Sequence, residues 1–197
     1  MCFERRWKLP RPNLGNLKTL SSCCQQNSTQ RPRAWSCLRD QNRALWDQLL
    51  IRRGLAALER AQSLGGTMGP YALQAAIAAC HARAREAADT AWAQIASLYA
   101  ALYRVIPSPV IELNRGVAVG MAEGPAAGLE VVDRLMNEPS LKNYHHLPAV
   151  RGDLLLKLGR HREAGGEFER AAALTRNTRE RELLLERARG CSQASGD

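Results

Sequence analysis

Residues 152–171 read GDLLLKLGRHREAGGEFERA, and the spacing of their small and large side chains predicts two packed helices. Gly152 opens the first apolar stretch, Gly159 ends it, and Ala164 begins the contact face of the second helix. Phe168 follows four residues later, on the same helical face as Ala164. Small residues let two helix backbones approach closely, and a large apolar residue then fills the next groove. This stretch therefore predicts a helical hairpin.

The same pattern occurs 36 residues earlier in the chain. In both segments a small residue on the first helix is followed twelve positions later by a second small residue, and four positions later by a large apolar one. The aligned pairs are Arg115 with Arg151, Gly116 with Gly152, Val119 with Leu155, Gly128 with Ala164, and Val132 with Phe168. Hairpins that cannot bury a face alone stack on one another with a continuous core. We therefore predict an all-α protein of antiparallel helical hairpins.

This pattern resembles the tetratricopeptide (TPR) repeat, a helical hairpin with a period near 34 residues. The chain departs from it where the TPR pattern has an early Trp and a final Pro, because Pro148 and Arg176 stand there. The resemblance implies a short TPR-like solenoid. The alternative is an alanine-rich stack of helical hairpins that belongs to no family.

Prolines, capping residues and apolar spacing predict eight helices and no strand. The predicted helices cover residues 40–64, from 70 onward, from about 89 to Pro107, 109–121, 125–136, 144–158, 162–174 and 178–188. Connections are short, so neighbouring helices are expected to be antiparallel. Cys80 lies on an apolar stretch and is predicted to be in the core.

The composition changes abruptly near residue 34. Residues 1–33 carry seven Lys and Arg, one acidic residue and no Ala, whereas residues 34–197 contain 30 Ala. The net charge of +9 lies mostly in this first part, so it says little about the folded part. We expect an unstructured basic tail over residues 1–37, a TPR-like helical domain over 38–191, and a disordered tail over 192–197. A frameshift or a misassigned start would leave the same abrupt change.

Several classes of protein and of site are disfavoured. No apolar run approaches the roughly 18 residues that span a bilayer, and no secretory signal core occurs, so we expect a cytoplasmic protein without membrane contact. No nucleotide-binding or hydrolase motif and no Cys-x-x-Cys pair occurs, so we expect neither an enzyme nor a cofactor.

His145 and His146 are adjacent, but neighbours on a helix point apart and no acidic residue or cysteine lies at ligand spacing. No metal site is therefore predicted.

Six motifs in chain order carry a closer resemblance. They are DQNRALWD (40–47), GPYALQAAIAACH (69–81), WAQIASLY (92–99), PSPVIELNR (107–115), GPAAGL (124–129) and GRHREA (159–164). Together they resemble the C-terminal extension of a bacterial subgroup of extracytoplasmic-function (ECF) RNA polymerase sigma factors, over about residues 38–191. In that subgroup a TPR-like helical domain follows the two domains that bind polymerase and promoter DNA.

Neither of those two domains is expected here, because too few residues precede Arg39 and no helix-turn-helix pattern occurs. The resemblance implies a regulatory protein-interaction role in transcription initiation. The implied partner is core RNA polymerase or the factor's own sigma domains, with DNA contacted only through the domains missing here. The alternative is a standalone TPR-like adaptor. A third hypothesis, a small helical enzyme, has the least support.

Candidate binding residues come from the repeat. Arg115 and Arg151 occupy equivalent positions on the first helix of each pair, which in TPR proteins lines the concave groove. Asn and Arg at such positions bind a peptide backbone or carboxylate through fixed donors. We predict that Asn114, Arg115, Arg151 and Asp153 bind a partner. The alternative is that Arg115 and Arg151 pair with Glu112 and Asp153 and only solubilise the surface.

Overall fold

A computed structural model describes residues 42–65 and 68–193 of the chain. Regular structure within these residues is helical, and they contain no strand, which confirms the predicted all-α class. The basic tail predicted over residues 1–37, with its alternative of a frameshift, lies outside the described residues. The same holds for residues 194–197 of the predicted C-terminal tail.

The helices follow the predicted order. They are α1 (Gln48–Ser63), α2 (Pro70–Arg83), α3 (Trp92–Val105), α4 (Pro109–Ala122), α5 (Pro125–Asp133), α6 (His146–Lys157), α7 (His161–Leu174) and α8 (Thr178–Gln193). Short 3-10 turns lie at Arg43–Leu45 and Pro139–Leu141. Helix α8 continues to Gln193, so residues 192 and 193, which were predicted to belong to a disordered tail, are helical. None of the helices in the described ranges combines the length and apolar character needed to cross a bilayer.

Prolines set the starts of three helices. Pro70, Pro109 and Pro125 each stand at the beginning of their helix. A missing backbone N–H costs nothing at this position, and the fixed φ of proline already suits a helix. The starts predicted for α2, α4 and α5 are therefore confirmed.

The start of α1 differs from the prediction. A helix was expected from residue 40, but α1 begins at Gln48 because Asp47 caps it. The Asp47 carboxylate accepts hydrogen bonds from the backbone N–H groups of Leu49 and Leu50, each at 2.9 Å. This satisfies two of the N–H groups that a helix start leaves without partners. Residues 43–45 instead form a separate 3-10 turn.

Consecutive helices pack against one another from α1 to α8, as the predicted stack requires. The pairs α2/α3, α4/α5 and α6/α7 form hairpins, and α4 also contacts α6, the first helix of the following pair. One apolar core lies mainly among α2, α3 and α4, and a second extends from α4 to α8. Cys80 is buried in the first core, as predicted.

The backbones of α4 and α5 nearly touch where they cross. A methyl group on Gly128 would lie 2.6 Å from the Cα of Gly120 and 2.8 Å from the carbonyl oxygen of Gly116. Both distances are far below van der Waals contact, and the atoms in the way belong to the backbone. Glycine at position 128 is therefore a packing requirement of this crossing.

A second glycine contact, with a large side chain, occurs in both repeats. A methyl group on Gly116 would lie 2.9 Å from Cγ2 of Val132, and one on Gly152 would lie 2.7 Å from Cε1 of Phe168. The large side chain sixteen positions after each glycine thus packs directly against that glycine. This contact confirms the internal repeat at the level of atoms.

We predict that Gly128→Ala destabilises the protein by about 2 kcal/mol or more, because α5 must move away from α4 to admit the methyl group. The matched control is Gly166→Ala on α7, where an added methyl group meets nothing within 4 Å. That substitution is expected to be neutral or stabilising by up to about 1 kcal/mol. Urea unfolding followed by circular dichroism measures both, and equal stabilities would contradict the crossing described above.

Candidate functional site

Arg115 lies on α4 and lines an open groove between α3 and α4. Its Nε donates a hydrogen bond to Glu112 Oε2 at 2.9 Å, and its Nη2 donates one to Oε1 at 2.6 Å. The hydrogen bonds to Glu112 raise the pKa of Arg115 above its ordinary value. The groove is completed by Ser97, Ala100, Tyr103 and Arg104 of α3. Arg115 is therefore a charged side chain held in one orientation at an open surface.

Asn114 lies in the interior, although it precedes Arg115 directly. Its exposed fraction is 0%, whereas Arg115 is half-buried at the groove. Adjacent residues on a helix differ in direction by about 100°, so one of them faces the groove and the other faces the core. A side chain without exposed surface cannot meet a partner at the surface. The prediction that Asn114 binds a partner is therefore corrected, because Asn114 lies in the core.

Arg151 on α6 connects its two neighbouring helices. Its Nε donates to Oδ1 of Asp133 at the end of α5 at 2.7 Å, and its Nη1 donates to Oε1 of Glu167 on α7 at 2.8 Å. Arg170 also donates to Glu167, at 3.4 Å. Burial lowers the pKa of Arg151, but the hydrogen bonds and charges of Asp133 and Glu167 outweigh it, and the pKa is raised. Arg151 is therefore a link within the stack.

Arg115 and Arg151 occupy equivalent positions but bind different partners, because the residues around them differ in sequence. The position 36 residues after Glu112 holds Pro148, which offers no carboxylate. The position 36 residues before Glu167 holds Val131, which offers none either. Arg115 thus pairs with a carboxylate one turn away on its own helix, whereas Arg151 pairs with carboxylates of the neighbouring helices α5 and α7.

Asp153 pairs with Arg187 of α8 and so joins α6 to α8. The guanidinium carbon of Arg187 also lies 4.2 Å from the ring centroid of Phe168. The structure thus confirms one half of the alternative to partner binding, the pair of Arg115 with Glu112, and contradicts the other half, the pair of Arg151 with Asp153. Each charged residue of the predicted set thus binds a residue outside that set, and Arg115 is the one that lines the groove. Partner binding by Arg115, Arg151 and Asp153 stays a prediction.

Arg43 is a structural residue that the sequence did not reveal. Its exposed fraction is 6%, and its Nη1 donates to the carbonyl oxygens of His81, Ala84 and Glu86 at 3.1, 3.2 and 3.2 Å. Its Nη2 donates to Thr90 Oγ1 at 3.1 Å. A cation that binds carbonyls at the end of α2 is also favoured by the helix dipole. Its partners lie 38 to 47 residues away in the chain, so local patterns give no sign of them.

His81 and two tryptophans complete this cluster. The His81 ring packs edge-to-face on Trp92 with centroids 5.3 Å apart, and the guanidinium carbon of Arg43 lies 5.3 Å from the Trp46 ring. Neither His81 ring nitrogen has a hydrogen-bond partner within the described ranges. Burial, with the positive charge of Arg43 as a second cause, lowers the pKa of His81 to about 4. The first three sequence motifs therefore meet in one place.

His145 and His146 do not point apart, which corrects the argument made from the sequence. Their ring centroids lie 3.9 Å apart, and Oε1 of Glu180 lies 3.2 Å from Nε2 of His145. His145 stands at the N-cap of α6, so the pair lies at the helix end and not within a regular turn. Glu180 comes from α8, 35 residues later, which is why ligand spacing did not reveal it. Two imidazoles and a carboxylate thus form a group that the sequence did not predict.

We predict that Arg43→Met lowers the free energy of unfolding by about 3 kcal/mol, because several buried acceptors lose their donor. Methionine keeps most of the length of the side chain and removes the guanidinium. Arg52→Met, at an exposed position of α1, is the matched control and should change stability by less than about 0.5 kcal/mol. Urea unfolding measures both, and a similar small loss in the two variants would refute a structural role for Arg43.

We predict that His81 makes the protein less stable in acid. The unfolded chain binds a proton on His81 near pH 6.5, but the folded protein does so only near pH 4, so stability falls as pH drops through this window. His81→Leu should therefore show a shallower decline in unfolding free energy between pH 7 and 4.5 than the wild type. Arg52→Met, at an exposed position of α1, is the control and should keep the wild-type slope. Unchanged pH dependence in His81→Leu would show that another group is responsible.

Comparisons with known proteins give one curated relative. An uncharacterized protein of Rhizobium meliloti (strain 1021) is 47% identical over 143 residues, which cover 73% of this chain and 33% of the relative. The chain therefore spans about a third of the length of that relative. No protein-family model matches the chain, and no solved structure matches it.

Proposed function

We propose that this helical stack is the C-terminal protein-interaction domain of an ECF-type RNA polymerase sigma factor. It would act in the cytoplasm, in transcription initiation, through contacts with core polymerase or with the sigma domains of the same factor. The observation that carries the proposal is the ordered set of six motifs, because each of them has a structural task in one fold. Six short matches scattered over unrelated positions would carry much less weight.

The tasks of the motifs are specific. The first three build the buried cluster around Arg43. The fourth supplies the Glu112–Arg115 pair of the groove, and the fifth supplies Gly128 at the crossing of α4 and α5. The sixth supplies Gly159, which adopts a φ of +75° where α6 ends, a conformation that favours glycine. The motifs that resemble the sigma-factor extension thus supply contacts between helices and at helix ends in the stack.

The length of the Rhizobium relative is compatible with this proposal. Two thirds of that relative lie outside the matched segment, so in it the helical stack is one part of a longer protein. A domain that works beside polymerase-binding domains would have this arrangement. The name of the relative describes no activity, so the comparison supports the domain organisation and not the partner.

The groove between α3 and α4 is the contact surface that we propose. It combines a partly exposed aromatic side chain, Tyr103 at 39%, with the exposed cation Arg104 and the fixed Glu112–Arg115 pair. Tyrosine and arginine are enriched among the residues that dominate binding energy at protein interfaces. The chemistry fits a partner segment with an apolar side chain and a carboxylate. Arg151 is excluded from this surface, because its donors already join α6 to α5 and α7.

The test measures binding of the full chain to purified bacterial core RNA polymerase and, separately, to the polymerase-binding domains of an ECF sigma factor. We expect one of these to bind, and Tyr103→Ala/Arg104→Ala to weaken binding by about tenfold or more. Tyr71→Ala/Arg162→Ala is the matched control, because it removes an exposed tyrosine and an exposed arginine from α2 and α7. The control is expected to bind like the wild type.

Two outcomes would overturn parts of the proposal. Absence of binding to both polymerase and sigma domains, with the fold intact by circular dichroism, would favour the standalone adaptor. Binding that both double variants weaken equally would keep the partner but reject the groove.

A further inference from the structure

The second site that the structure assembles lies where α6 and α8 begin. His145 is the N-cap of α6, His146 is its first residue, and Glu180 is the third residue of α8. The short connection after α7 returns the chain so that the start of α8 meets the start of α6. The three side chains are partly buried, and their donor atoms all lie within 4.8 Å of one another.

The spacing suits a small cation. Zinc binds imidazole nitrogen and carboxylate oxygen at about 2.0–2.2 Å, so two tetrahedral donors lie about 3.4 Å apart. The His145 Nε2 and Glu180 Oε1 atoms are already 3.2 Å apart. The donor of His146 approaches the same point by rotation of its side chain, since no separation in the group exceeds 4.8 Å.

Neighbouring groups hold the carboxylate in place. Thr175, only 2% exposed, donates from Oγ1 to Oε2 of Glu180 at 2.8 Å, which leaves Oε1 directed at His145. The Asn177 side chain accepts from the backbone N–H of Glu180 at 3.4 Å and fixes the first turn of α8. Hydrogen bonds of this kind orient carboxylate ligands in metal sites. The Glu180 carboxylate is thus oriented before any cation arrives.

We propose that His145, His146 and Glu180 bind one Zn²⁺ ion, with the fourth position open to water or to another ligand. Two imidazoles and a carboxylate are a donor set that zinc accepts readily. The ion would join α6 to α8 beside the existing Asp153–Arg187 pair. This inference is independent of the proposed sigma-factor role and of the groove.

The test is a Zn²⁺ titration of the chelator-treated full chain in competition with a chromophoric zinc indicator. We expect one equivalent to bind, and His145→Gln/Glu180→Gln to weaken this binding by tenfold or more. His161→Gln/Glu163→Gln is the matched control, because it removes the same residue types at the start of α7. The control is expected to bind zinc like the wild type.

Two further measurements separate this site from the cysteines of the chain. Co²⁺ bound by nitrogen and oxygen lacks the near-ultraviolet thiolate absorption that a cysteine site would show. Zinc should also raise the melting temperature of the wild type and the control by several degrees, but not that of His145→Gln/Glu180→Gln. Equal zinc affinity in both double variants, or a thiolate band with Co²⁺, would overturn the proposal, as would absence of binding.

Discussion

The packing of this protein depends on the close contact between the backbones of α4 and α5. At Gly120 and Gly128 the two helices leave no room for a side chain, so their crossing is determined by the backbones themselves. In the following pair, α6 and α7, the Phe168 ring lies over Gly152, as Val132 lies over Gly116 in the first pair. Since each hairpin packs on the next, these two crossings orient the helices that carry every other contact from α4 to α8.

Arginine side chains then connect the helices of the stack through hydrogen bonds and ion pairs. Arg43 holds the end of α2, Arg151 connects α6 with α5 and α7, and Arg187 connects α8 with α6. The buried apolar residues are mainly leucine, isoleucine and valine, with alanine among them. Long cations with several donors add polar links between the helices, and their stems pack on apolar surface. The positive charge of these three arginines is thus structural and gives no argument for nucleic-acid binding.

In the part of the chain that the structure describes, two surfaces carry chemistry suited to a partner or to an ion. The groove between α3 and α4 offers an aromatic side chain and cations in an open position. The group of His145, His146 and Glu180 lies at another joint, between α6 and α8. A partner at the groove would act on the middle of the stack, whereas an ion between α6 and α8 would stiffen its C-terminal hairpin. The two sites can therefore be perturbed separately.

The sequence by itself determined the features that depend on near neighbours. Proline at the first helical position, glycine after the last, and the 36-residue repeat predicted the all-α stack and the starts of α2, α4 and α5. The equivalence of Arg115 and Arg151 was also visible, because it is a property of the repeat.

Tertiary structure decided which of these residues share a contact. Arg43 meets carbonyls at least 38 residues away, and Glu180 meets His145 across 35 residues. Asn114 lies in the core although it adjoins the half-buried Arg115, and Asp153 pairs with α8 and not with Arg151. Helical spacing determines the direction of a side chain relative to its own helix, but only packing determines which element lies in that direction.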